Sequence, residues 1–134
     1  MVGSGRERMF DLAGLRVEKV FILGDRVQVH ARSAAPDGRC PQCGRPSRRV
    51  HSRYHRRVAD LPAQGRAVEV NIAVRRFRCP HDDCPRWIFA ERLDPRAAAS
   101  RARRTGRLDG VVHHLGMALG GRPAQTLARR LMLP

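Results

Sequence analysis

Alternating apolar and polar positions predict strands in the first two thirds of the chain. An apolar run at 17–23, a two-residue turn at Gly24-Asp25 and an alternating segment at 27–31 predict a β-hairpin. Further along, four apolar residues at every second position predict a half-buried strand: Val68, Val70, Ile72 and Val74. This strand continues into the basic run Arg75-Arg76-Phe77-Arg78. After the next turn, residues 86–89 predict a short strand that brings large side chains, Trp87 among them, into the protein core.

Residues 48–58 also alternate, but here one side of the predicted strand is basic. That side carries Arg49, His51, Arg53, His55 and Arg57. Same-face side chains on a strand lie about 7 Å apart, close to twice the axial rise per nucleotide of one DNA strand. The row therefore favours contact with successive phosphates, and a solvated strand face is the alternative. A turn predicted at 60–66 would join this strand to the one at 68–78 as an antiparallel hairpin.

From Asp94-Pro95 onward, the apolar residues recur at the spacing of a helix. One amphipathic helix is predicted from its apolar residues: Leu108, Val111, Val112, Leu115 and Leu119. Its first half is expected to be basic, with Arg101, Arg103, Arg104 and Arg107, and Gly120-Gly121 is expected to end it. A second short helix is predicted from Pro123, with Leu127 and Leu131 on one side. Two helices joined by a glycine turn predict a partial helix-turn-helix.

The cysteines are the strongest chemical signal. They occur as two pairs, Cys40-Pro-Gln-Cys43 and Cys79-Pro-His-Asp-Asp-Cys84, and the chain has no others. Two thiolates from each of two tight turns complete a tetrahedral four-thiolate zinc site, which is structural because no coordination position stays open. We therefore predict one structural Zn²⁺ held by Cys40, Cys43, Cys79 and Cys84, with His81 as a bystander.

Other uses of the thiols are a redox dithiol at Cys40 and Cys43, a pair of disulfides, or unrelated core positions. A thioredoxin-like motif would lie between a strand and a helix, whereas both flanks here are turn and strand. No apolar stretch is long enough for a signal peptide or a transmembrane helix. We therefore expect a cytoplasmic protein, and a reducing cytosol disfavours disulfides.

The net charge of the chain indicates what kind of molecule it binds. The 134 residues include 27 basic and 12 acidic side chains, a formal net charge of +15, and every basic residue but Lys19 is arginine. This balance is typical of nucleic-acid-binding proteins, and the guanidinium fork suits phosphate. The alternative is an interaction or regulatory module that zinc stabilises and that binds an acidic protein partner. Single strands or RNA are also open as ligands, since Tyr54, Phe77 and Trp87 could stack on bases, although core packing is favoured for each.

Together these patterns predict an α+β fold: a small antiparallel β domain of zinc-ribbon type with a C-terminal helical segment. We divide the chain into an N-terminal segment and hairpin at 1–36, a four-cysteine β domain at 37–95 and a helical hairpin at 96–134. Residues 1–12 have mixed charge and no periodicity, so we interpret them as a loose or capping segment.

The motifs also resemble a known family. The segments Cys40-Pro-Gln-Cys43-Gly44, Asp60-Leu61-Pro62 and Arg75–Cys79, with those at 47–54 and 84–92, are similar in kind and order to the N-terminal zinc-binding region of ISL-three family insertion-sequence transposases. The resemblance extends to residue 131. It implies a bacterial protein, nucleoid-associated when DNA-bound, that binds double-stranded DNA at the terminal inverted repeats of a mobile element. Symmetric end binding would suggest a homodimer.

That family also has a catalytic domain with three acidic metal ligands, for which this chain has no residues and no convergent carboxylates. We therefore expect no catalysis, no small-molecule substrate and no membrane association. The residues expected to contact DNA are all arginines: Arg49, Arg53, Arg57, Arg75, Arg76, Arg78, Arg101, Arg104, Arg129 and Arg130.

Overall fold

The computed structural model describes residues 12–134 and confirms an α+β fold. Its strands are β1 (Leu15–Leu23), β2 (Arg26–Ser33), β3 (Gly38–Arg39), β4 (Pro46–Ser47), β5 (Val50–Ala63), β6 (Arg66–Arg78) and β7 (Ile88–Ala90). Its helices are α1 (Pro95–Ala98), α2 (Gly106–Leu119) and α3 (Gly121–Arg130). The segment interpreted as loose or capping lies, except for Leu12, outside the described residues.

The sheet is built around β6. Four strands follow the order β1-β2-β6-β5, and β7 also pairs with β6. Both predicted hairpins form, since β1 pairs antiparallel with β2 and β5 with β6. The pairing of β2 with β6 is parallel. Because β5 occupies one edge of β6 along most of its length, β2 and β7 share the other edge, one after the other.

One face of this sheet carries the main core. Its central part consists of valines and one isoleucine from three strands: Val27, Val29, Val58, Val68, Val70, Ile72 and Val74. Leu12, Ala97 and Ala98 are buried in the same cluster, so α1 and the chain before β1 cover this face. The alternation in the sequence thus gives the correct buried side for β2 and β6.

A second, smaller core lies at the end of β6. It contains Phe77 and Phe89 together with Cys40 and Cys79. The rings of Phe77 and Phe89 stack with centroids 5.6 Å apart. Phe77 is three residues from Val74, and successive strand residues point to opposite faces, so the two cores lie on opposite sides of β6. Gly38 fits here because a Cβ at that position would lie 2.6 Å from Phe77 carbons.

The predicted turn at 60–66 is wrong in extent. Strand β5 continues to Ala63 and the chain reverses at Gln64-Gly65, where both residues have positive φ. An irregularity between Asp60 and Ala63 accommodates Pro62. Proline is tolerated there because β5 is an edge strand, where the missing N–H removes no ladder hydrogen bond.

The predicted basic first half of the main helix is also wrong. Helix α2 begins at Gly106, after Thr105, whose side chain caps it by accepting a hydrogen bond from the Leu108 N–H. Arg101, Arg103 and Arg104 precede the helix. The Ala59 N–H donates to the Arg103 carbonyl, and the Thr105 N–H donates to the Ala59 carbonyl. Pairing with β5 therefore holds residues 103–105 outside the helix, while Arg101 lies in a turn with φ of 61°.

A buried polar cluster joins α2 to the sheet. The Asp60 side chain is fully buried and accepts hydrogen bonds from Thr105 Oγ1 at 2.7 Å and Arg107 Nε at 2.9 Å. Burial by itself would raise the pKa of Asp60, but the Arg107 and Thr105 hydrogen bonds outweigh it and hold that pKa below its usual value. Asp60 therefore remains ionised and fixes the start of α2 on β5.

The predicted division at residues 36 and 95 stays a prediction, and the pairing of β2 with β6 crosses the first of these boundaries. Helices α2 and α3 meet at Gly120, whose φ of 68° suits glycine at a helix end, as expected from Gly120-Gly121. Within residues 12–134, no helix combines the length and apolar character needed to span a membrane.

Candidate metal centre and basic surfaces

Two tight turns bring the cysteines together. In the first, the Gly44 N–H donates to the Cys40 carbonyl and the Cys40 N–H to the Arg45 carbonyl. Gly44 has φ of 74°, a conformation that favours glycine. In the second, the Cys84 N–H donates to the His81 carbonyl and the Cys79 N–H to the Trp87 carbonyl. Backbone hydrogen bonds therefore define both turns.

The sulfur atoms have the spacing of a tetrahedral site. Cys40 Sγ lies 3.7 Å from Cys84 Sγ, and Cys43 Sγ lies 3.7 Å from Cys79 Sγ. All four ligand atoms lie within 4.8 Å of one another. A tetrahedron with Zn–S bonds of about 2.3 Å has S–S edges of about 3.8 Å, whereas a disulfide is about 2.05 Å long. The four free thiols therefore fit one zinc ion and not a pair of disulfides.

Protonation differs among the ligands. The backbone N–H of Arg45 lowers the pKa of Cys43 to about 6, with a further contribution from the Arg45 guanidinium. Desolvation raises the pKa of Cys84 to about 12. Cys43 is therefore a thiolate at neutral pH, while zinc must displace a proton from Cys84. His81 is not part of the four-ligand group, in agreement with its interpretation as a bystander, although its Nε2 is buried without a hydrogen-bond partner.

Arg45 links the two cysteine turns. Its guanidinium donates to Asp83 Oδ1 at 2.6 Å and also helps to lower the pKa of the Cys43 thiol. Asp83 lies in the second turn, so one side chain connects both halves of the site, and its charge offsets part of the negative charge of four thiolates. The sequence does not reveal this role of Arg45, because a basic residue after a C-x-x-C-G turn has no diagnostic pattern of its own.

We expect Arg45→Ala to lower the zinc affinity about tenfold or more, because outer-shell partners orient the ligands and set their basicity. Competition with a chromophoric chelator measures the affinity. Arg48→Ala is the matched control, since Arg48 is exposed and lies just beyond the same turn. Equal affinities for the two variants would show that the guanidinium contributes nothing to the metal site.

The cysteine geometry agrees with a family comparison. Residues 36–84 match the zinc-finger of transposase IS204/IS1001/IS1096/IS1165. This match confirms the transposase resemblance for the segment that contains both cysteine turns, β5 and β6. The chain has no match among curated proteins or among solved structures. Within the matched segment, the four clustered thiols are the site of one structural zinc.

The basic side of β5 is exposed. We call the set Arg49, His51, Arg53, His55 and Arg57 the basic row, and all five residues are exposed. The other side of the strand is used internally: Arg56 donates to the carbonyls of Ala99 and Ala102 at 2.8 and 3.1 Å. Within the row, His55 Nδ1 lies 2.9 Å from Asn71 Oδ1 on β6. The predicted alternation therefore holds for Arg53, His55 and Arg57, whereas an irregularity between Val50 and Ser52 interrupts it before Arg49, which precedes β5.

The helical segment extends this basic surface at one end. Arg129 on α3 lines a cavity of about 450 Å³ together with Arg57 and Arg26. It also lines a second cavity of about 440 Å³ with Arg104. Arg104 donates to the Pro134 carbonyl at 3.0 Å, and Arg101 and Arg130 are exposed. The fold thus brings Arg57, Arg104 and Arg129 near one another from three distant parts of the sequence.

Arg75, predicted to contact DNA, is mostly buried and paired within the fold, and its contact with DNA stays a prediction. Its guanidinium donates to Glu91 Oε2 at 2.8 Å and to the Ala35 carbonyl at 2.7 Å, and the side chain is only 18% exposed. The pair connects β6 to the residue after β7. Arg76 and Arg78 are exposed, and each lies over an aromatic ring: Arg76 over Tyr54 and Arg78 over Trp87.

The prediction that Trp87 is a core residue is wrong. Phe89, two residues later, takes the buried position, and Trp87 remains 66% exposed. The sequence around Trp87 is a single apolar run, and a run this short does not reveal which of its side chains point inward.

Proposed function

We propose that this chain is a DNA-binding module of a transposase-type protein, with no catalytic activity of its own, that contacts double-stranded DNA at the ends of a mobile element. The observation that carries the proposal is the basic row, an exposed series of arginines and histidines on and just before an edge strand, within the segment that matches a transposase zinc-finger. Such a protein would act in the bacterial cytoplasm at the nucleoid. The homodimer suggested by symmetric ends stays a prediction.

The geometry of the basic row supports phosphate contact. Among the described residues, the outer edge of β5 is paired only at Ala59, by the bridge to Arg104, so a DNA backbone could approach the first half of the strand from that side. Arg49, Arg53 and Arg57 are each four residues from the next, and the histidines between them offer ring nitrogens to intervening phosphates. Arg129, beside Arg57, would extend the contact to α3.

The carboxylates support the non-catalytic part of the proposal. Two-metal phosphoryl transfer needs carboxylates that converge on open space. Several described acids instead face arginines: Asp60 binds Arg107, Glu91 binds Arg75, and Asp83 binds Arg45. Side chains held in this way are not available to bind catalytic cations.

The proposal predicts a specific loss of DNA affinity and salt dependence. Replacing Arg49, Arg53 and Arg57 together with glutamine should make the plot of log K against log salt less steep by about 3. Affinity for a short duplex should fall about tenfold or more at low salt. Fluorescence anisotropy of a labelled duplex, titrated at several salt concentrations, measures both quantities.

The control removes the same charge elsewhere, with Arg16, Arg92 and Arg122 changed to glutamine. All three are exposed and lie outside the basic row. If this control lowers the duplex affinity and the salt slope as much as the row variant does, binding depends on net charge and not on the row. If the zinc-loaded chain binds no duplex and instead binds polyglutamate, the alternative of an acidic protein partner replaces the proposal.

A further inference from the structure

The indole of Trp87 is exposed although its backbone is firmly held. The Trp87 carbonyl accepts from the Cys79 N–H at 2.9 Å, and the next residue, Ile88, pairs with Arg78. The ring is 66% exposed, and the Arg78 guanidinium carbon lies 5.5 Å from its centroid. A large aromatic side chain is thus presented to solvent from a rigid element beside a zinc ligand, with a cation against it.

A second arginine–aromatic pair lies next to the first. The Arg76 guanidinium carbon lies 4.4 Å from the centroid of Tyr54, which is half-buried on β5. Arg76 and Arg78 are two residues apart on β6 and point to the same side, which places the two pairs about 7 Å apart at their backbones. This distance is larger than the spacing of stacked bases and suits a strand whose bases are unstacked and extended.

The Trp87–Arg78 pair adjoins the first residue of the basic row. The Arg78 N–H donates to the Arg49 carbonyl at 2.8 Å, and Arg78 pairs with Ile88, the residue after Trp87. A nucleic-acid strand whose phosphates contact Arg49 would therefore bring its bases near Trp87. Cationic grooves combined with exposed aromatic rings are the usual means of binding single strands, since every base has a face that can stack.

We propose that Trp87 stacks on an unpaired base of DNA, with Arg78 fixing the ring, so that this surface prefers DNA with unpaired bases over a closed duplex. The inference rests on the proposed function, because the basic row must bind the same strand. A closed duplex offers few exposed base faces, whereas a single strand offers one at each nucleotide. Trp87 would then confer a preference for the form of the DNA and not for its sequence.

The test uses Trp87 itself as the probe, since it is the single tryptophan of the chain. The zinc-loaded chain is titrated with an oligothymidine of about 15 nucleotides and with a closed duplex of the same length. We expect the single strand to quench the tryptophan fluorescence more strongly than the duplex at equal occupancy. In anisotropy titrations Trp87→Ala should weaken single-strand binding about 5- to 150-fold and change duplex binding less than about twofold.

Two further variants make the result specific. Trp87→Phe retains a ring and should recover most of the single-strand affinity. Met117→Ala removes another exposed apolar side chain, on α2 and 77% exposed, and should change neither affinity. Zinc content, measured for each variant, verifies that the metal site is intact.

The outcomes separate this inference from the proposed function. If both DNA forms bind and Trp87→Ala loses no single-strand affinity, or loses both affinities equally, the stacking proposal is overturned and the DNA-binding proposal stands. If neither form binds, both proposals fail. Tighter binding of an RNA strand of equivalent sequence would overturn the assignment to DNA.

Discussion

Removal of zinc is expected to unfold the part of the protein built around Phe77 and Phe89. A structural zinc site contributes about 10 kcal/mol or more to folding, which matches or exceeds the total stability of a typical domain. In this chain the ligands Cys40 and Cys79 are themselves core residues next to the two phenylalanines. Without metal, the sulfur atoms of Cys40 and Cys84, and those of Cys43 and Cys79, would face each other at 3.7 Å with no ion between them.

The measurement is thermal unfolding followed by circular dichroism, before and after chelation, together with metal analysis. We expect about one zinc per chain and loss of the cooperative transition once it is removed. Cys40→Ser should have the same effect. Zinc should restore the transition and magnesium should not, because magnesium prefers oxygen ligands. An unchanged transition in a chain shown to be metal-free would mean that the cysteine cluster needs no metal.

Asp60→Ala is expected to destabilise the protein by about 2–4 kcal/mol. The substitution leaves the Thr105 hydroxyl buried without its acceptor and the Arg107 guanidinium without its carboxylate. Chemical denaturation measures the free energy of unfolding. Glu18→Ala is the control, since Glu18 pairs with Arg32 at 2.9 Å but both side chains are about half exposed, so its loss should cost less than about 1 kcal/mol. Equal losses of unfolding free energy in the two variants would show that the burial of Asp60 adds nothing to the stability from its ion pair.

The Asp60–Arg107 pair also predicts how the stability of the fold depends on pH. The folded-state pKa of Asp60 is lower than its unfolded value, so its ionised form stabilises the fold above the unfolded pKa of about 3.9. That contribution decreases as the pH falls toward the folded pKa. The stability difference between the parent chain and Asp60→Asn should therefore be constant near neutrality and disappear in acid. A difference that persists in strong acid would contradict a role for the charge.

Periodicity and ligand spacing predicted the local structure well. The alternation of Val68 to Val74 gave the correct buried face, and the two cysteine pairs gave the metal ligands, because both signals depend on neighbours in sequence. The predictions that failed concern residues whose partners lie far away in the chain. Nothing near Asp60 indicates Thr105 and Arg107, and nothing near Arg75 indicates Glu91.

Some wrong predictions concern an edge strand of the sheet or the residues just before a helix. Pro62 suggested a turn, but an edge strand tolerates proline, so β5 continues past it. The arginines at 101–104 suggested a helical turn, but the extended pairing with Ala59 holds them outside α2. The parallel pairing of β2 with β6 has no local signal at all, since its register follows from the match of two apolar faces.

That parallel pairing has a consequence for the order in which the chain folds. Strand β2 reaches β6 only across a long connection that contains the first cysteine turn and β5, and closing long loops is slow. Hairpin β5–β6 needs only a tight reversal, and zinc capture joins cysteines 36 and 44 residues apart around that hairpin. We therefore expect the metal-bound hairpin to be the nucleus, with β1 and β2 docking afterwards as a preformed unit.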